Sequence, residues 1–129
     1  MRFVLLAVIL TYVPAGMSET RATSPSMADA TTCAVYYRML TGSMSPPYKD
    51  LGPLADMEKD KMLTLIDVAK EAAEREFGKE HAKEKFEADW AAKVAAMTDE
   101  INRNYDNVQQ LRYHYGAKCK AMLKAVNGG

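Results

Sequence analysis

A chain of 129 residues is about the size of one domain, and its 17 Lys and Arg balance 17 Asp and Glu. That neutrality removes the electrostatic argument for nucleic acid or an anionic membrane surface as a partner, and it leaves self-association open. Only 2 histidines are present, which gives little support to a pH-switch role.

The first residues set the expected compartment. Arg2 is followed by an uncharged run from Phe3 to Leu10, which Tyr12 and Val13 extend and Pro14 ends. One charge, a short apolar run and a break together make a secretory signal peptide. The run is well short of the roughly 20 apolar residues of a membrane span, so the membrane is met only during export. Residues 1–15 are the expected signal peptide, cleaved after Val13-Pro14-Ala15 or, at a second small-residue site, as late as 28. No cysteine stands directly after the apolar run, which argues against a lipid anchor. Loss of Arg2 leaves 16 cations against 17 anions, a net charge of −1. Such a protein is periplasmic if bacterial and secreted otherwise. Residues 16–29 are rich in Ser, Thr, Pro and charge without an apolar period, and read as a flexible segment.

A helical domain is predicted over residues 30–127. Asp29 or Thr31 suits the cap of its first helix. Cys33, Tyr37, Leu40 and Met44 follow at spacings of 4, 3 and 4, which places them on one helical face. Val35 and Met39 then point away from that face and, with Tyr48 and Leu51, offer an apolar patch to a partner. Ser45-Pro46-Pro47 ends the helix.

The second helix is expected to start near Pro53, because proline suits a first turn. Its stripe is Leu54, Met57, Leu65, Val68 and Ala72, flanked by Met62, Ile66 and Ala69. Gly78 is the one strong breaker between Pro53 and Gly116, and it is expected to separate the second helix from the third. An unbroken helix over 54–104 would instead be about 75 Å long and would need partners along its whole length.

In the third helix Ala82, Phe86, Trp90, Val94, Met97, Ile101 and Tyr105 recur at steps of 4, 4, 4, 3, 4 and 4. The opposite face is charged, with Lys83–Glu87 and Asp89–Lys93 at i,i+4. A turn follows at 104–107. The fourth helix runs to Val126 on a stripe of Val108, Leu111, Tyr115, Cys119, Met122 and Val126. Gly116 lies inside it, where a second backbone can come close.

Both cysteines fall on apolar faces, Cys33 on the first helix and Cys119 on the last. An even count in an exported chain reads as one disulfide. Closing a loop of this length removes about 4 to 5 kcal/mol of denatured-state freedom in the chain-entropy model. Short connections make successive helices antiparallel, and the bond brings the last beside the first. The expected fold is all-α: an antiparallel four-helix bundle closed by one disulfide between helix 1 and helix 4.

The chain offers little chemistry. It has no G-x-S-x-G, no H-E-x-x-H, no Glu-x-x-His, no C-x-x-C-H and no phosphate-binding loop. No catalytic residue, metal ligand or cofactor is therefore expected. One alternative is a haem-b carrier, with Met44 on helix 1 and His114 on helix 4 as the axial pair. The dispersed methionines otherwise read as core filler. The leader and the two-cysteine plan of Cys33 and Cys119 are similar in outline to periplasmic acid-stress chaperones of the HdeA type. That resemblance implies a stress chaperone as a further alternative, although the long charged helices depart from that compact fold. The favoured expectation is a non-enzymatic binding, adaptor or structural protein that meets an unknown protein partner or self-associates.

Overall fold

The computed structural model describes residues 24–128. The expected signal peptide over residues 1–15, and residues 16–23 of the expected flexible segment, lie outside the described residues. Four helices follow in chain order: α1 (Met27–Ser43), α2 (Gly52–Phe77), α3 (Lys79–Glu100) and α4 (Gln109–Val126), with a 3-10 turn at Tyr105–Asn107 before the last. Among the described residues there is no strand, and no helix is long and apolar enough to cross a membrane. The all-α antiparallel bundle expected from periodicity is the fold the chain adopts. The Cys33–Cys119 disulfide joins α1 to α4 across a Cα–Cα distance of 5.2 Å.

Helix α1 starts earlier than expected. Its cap is Ser26, whose hydroxyl accepts from the Asp29 N–H at 3.1 Å. Residues 27–29, assigned from sequence to the flexible segment, are its first turn. Two contacts from α2 hold that turn: the Met27 N–H donates to the Glu76 carboxylate at 2.7 Å, and Arg75 donates to the Pro25 carbonyl at 3.1 Å. At the other end the Lys61 ammonium lies 5.5 Å from the centre of the Tyr37 ring. These pairings run α1 and α2 in opposite directions.

The expected outward face of α1 does not exist. Val35 and Met39 are as deeply buried as Cys33 and Leu40. The reason is position: α1 packs broadly on α2, then on α3, and along a narrower strip on α4. A helix that is apolar all round belongs in the middle of a bundle. Gly42 near its end leaves room for the Tyr105 ring, and a Cβ there would collide with the phenol.

Helix α2 has 26 residues, about 39 Å, whereas α1 has 17, about 26 Å. The first turn of α2 buries Ala55 but leaves its other sides open. Leu54 and Met57, expected in the core stripe, are 50% and 56% exposed. Burial begins in earnest with Leu65, Ala69, Ala72 and Ala73. Gly78 then reverses the chain at φ +81°, a value that favours glycine, and one residue later α3 begins.

Small alanines let α2 and α3 approach closely: Ala69, Ala72 and Ala73 pack with Ala82 and Phe86. Leu65, Met97, Ile101 and Leu111 join α1 in the larger cluster. Tyr105, counted from sequence with the stripe of helix 3, belongs instead to the 3-10 turn, because α3 ends at Glu100. Asn102 and Arg103 turn the chain with φ of 54° and 56°. Asn107 secures the corner by donating to the Ile101 carbonyl at 3.0 Å.

Candidate functional site

Helices α2 and α4 both lie on α1 and scarcely touch each other. Between them runs a groove with a cleft of about 540 Å³, floored by Tyr36, Tyr37 and Leu40 of α1. Glu58 and Lys61 of α2 form one wall; Arg112, Gly116, Lys120, Leu123 and Lys124 of α4 form the other. A volume of this order suits a small organic ligand.

Helical spacing explains the α4 wall. Arg112, Gly116, Lys120 and Lys124 recur every four residues and so share one face. Gly116 sits opposite the Tyr36 phenol, whose oxygen would lie 3.3 Å from a Cβ at that position. The close neighbour expected for this glycine is thus a side chain rather than a backbone.

The charges in the groove are unequal. Four cations (Lys61, Arg112, Lys120 and Lys124) face one carboxylate, Glu58, which leaves 4 − 1 = +3. The whole chain carries as many anions as cations, so this is segregation rather than a basic composition. Lys61 donates to Glu58 Oε1 at 3.1 Å. Glu58 Oε2 and Arg112 Nε are both buried without a hydrogen-bond partner. Such orphans are costly in a stable fold and mark a place to look for a missing partner.

The tyrosines respond to this setting. Burial pushes the Tyr37 phenol up to about 12, with Tyr36 and Glu58 adding to the shift. Burial also raises Tyr36; the Arg112 charge opposes the rise and Glu58 reinforces it. Both phenols therefore remain neutral donors at physiological pH.

The residues singled out from sequence lie elsewhere. Cys33 and Cys119 are fully buried and bonded to each other. His114 is exposed on α4; its Nδ1 is 2.7 Å from Glu100 Oε1 and its ring stacks on Tyr115 at 3.9 Å. Met44 is half-buried at the C-cap of α1, its N–H donating to the Thr41 carbonyl. No hydrogen bond, apolar cluster or cleft described for residues 24–128 contains both Met44 and His114. Among the described residues no group of three or more His, Cys, Asp or Glu could hold a metal ion. The expected apolar patch survives only in part, because Val35 and Met39 are buried; Tyr48 and Leu51 are exposed beside Leu54 and Met57.

A second cleft, at the mouth of the α2–α3 hairpin, is lined by Lys70, Lys79 and Lys83 alternating with Glu74 and Glu87. Its charges nearly cancel, and it has the character of a solvated helix surface.

The fold is a disulfide-closed four-helix bundle with a basic groove. No protein-family model matches the chain, no curated protein matches it in sequence, and no solved structure matches it significantly in fold.

Proposed function

We propose that this protein is an exported binding protein that performs no chemistry of its own, with the groove between α2 and α4 as its working surface. The observation that carries this reading is the buried, unpartnered Arg112 Nε beside an excess of cations in a cleft of ligand size. A buried donor without an acceptor is a liability for the bundle and an asset only when something arrives to accept from it. The phenols flooring the groove support binding over catalysis. Their pKa values move upward, away from the range in which a group exchanges protons at neutral pH. Export accords with the leader-like opening and with a disulfide that persists in oxidising compartments.

Native mass spectrometry of the protein from its own exported fraction, without reductant, tests the reading. The expected species is a leaderless chain, two hydrogens lighter than the dithiol form, that holds a non-covalent ligand or partner. A full-length dithiol chain with nothing bound overturns both the export and the binding.

A further inference from the structure

Taking the groove as the binding surface, we propose that its ligand is a small amphipathic anion: one carboxylate- or phosphate-type group attached to an apolar body. This rests on the reading above and adds the chemistry of the ligand.

Three independent features point the same way. The first is Arg112. Arg112 lines the cleft, its Nε is buried and unpartnered, and no carboxylate of the described residues forms an ion pair with it within 4.0 Å. A planar guanidinium offering parallel N–H groups matches a carboxylate or phosphate. The second is the placement of like charges on α4. Lys120 and Lys124 stand at i,i+4, an arrangement that weakens an isolated helix. Together with Arg112 they bring three cations to the α4 wall, with Glu58 the one carboxylate lining the cleft. The third is the floor. Leu40 and Leu123 provide apolar surface, and the neutral Tyr36 and Tyr37 provide rings. A fully hydrated inorganic ion would gain nothing from that surface, whereas an alkyl or aromatic body would.

Glu58 gives the site its selectivity. Its carboxylate repels a second negative charge placed deep on the α2 side. The anionic head therefore belongs near Arg112, Lys120 and Lys124, with the apolar body along Leu40 and Leu123.

The test is a titration of the oxidised protein, followed by amide NMR shifts, with octanoate, octyl phosphate and neutral octanol. Saturable shifts at Gly116 and Lys120 are expected with at least one anion, and the tighter of the two names the head group. Octanol is expected to bind at least ten-fold more weakly. Arg112→Gln should weaken the anion at least ten-fold. Lys120→Gln with Lys124→Gln, which alters only exposed side chains and leaves folding intact, should weaken it several-fold. Lys93→Gln on α3 serves as the control and should change nothing. Equal binding of octanol and the anions removes the anionic head from the proposal while leaving a groove that binds. Undiminished binding in both groove variants also overturns it. If none of the three compounds shifts the groove, the amphipathic-anion proposal fails, and the native mass spectrum then decides the wider binding reading separately.

Discussion

The two helices joined by the disulfide are built on opposite terms. Of the 17 residues of α1, 11 are buried; of the 18 residues of α4, only Leu111 and Cys119 are. Helix α1 is enclosed by its neighbours and would stay in place without a covalent tie. Helix α4 rests on a narrow strip. Beyond Leu111 and Cys119 it packs half-buried Tyr115, Met122, Leu123 and Val126 on the core, and it adds polar bonds: Lys118 to Asp29 at 3.1 Å, and Tyr115 and His114 to the two oxygens of Glu100 at 3.0 and 2.7 Å. The difference teaches why one disulfide suffices and why it sits where it does. It fastens the helix with the fewest fully buried residues, and that slight burial leaves the groove beside it open.

That contrast can be broken in graded ways. Replacing both Cys33 and Cys119 with serine should cost the most, about 4 to 5 kcal/mol in the chain-entropy model, measured by urea unfolding of the oxidised wild type against the variant. A loss under about 1 kcal/mol would mean that the bond fastens little. Leu65→Ala, in the fully buried cluster under α1, should cost about 3 kcal/mol and lower the protection of all four helices together. Glu100→Gln removes the charged acceptor shared by His114 and Tyr115. It should cost about 1 kcal/mol, and faster amide exchange should be confined to α4 and the end of α3.

A further effect appears only at high pH. Burial, aided by the bond to Glu100, raises the Tyr115 phenol to about 12, and burial raises Tyr37 to about 12. An unfolded phenol releases its proton near 10, so between 10 and 12 unfolding releases protons. Stability should therefore be flat below pH 10 and fall as pH rises from 10 to 12. A titration of the melting temperature that stays level to pH 12 would show that these phenols are freely solvated.

Much of this fold was legible in the residues. The steps of 3 and 4 that carry Phe86, Met97 and Ile101 gave the core face of α3, and Gly78 gave the hairpin. Cys33 and Cys119 on apolar faces gave the pairing of α1 with α4. What periodicity cannot give is which helix sits in the middle. A stripe predicts one buried face and so puts Val35 and Met39 outside, whereas the central helix buries both, as it buries Cys33 and Leu40. The same method overrates the start of α2: Leu54 and Met57 fit the stripe but stay half exposed, while Ala55 beside them is buried. The groove was harder still, because Glu58 and Lys61 meet Arg112 and Lys120 only through the packing of distant segments. One signal was present all along. The every-fourth-residue run of Arg112, Gly116, Lys120 and Lys124 puts three cations on one face with a gap opposite the Tyr36 phenol.

The most direct measurement of the contrast between α1 and α4 is amide hydrogen exchange on the wild-type protein before and after reduction with dithiothreitol. Protection should collapse in residues 109–126, while Leu65, Met97 and the α1 core lose no more than the global loss of about 4 to 5 kcal/mol. Residues 109–126 losing no more protection than the rest would contradict it, because α4 would then be part of one indivisible core rather than a helix held in place by its disulfide.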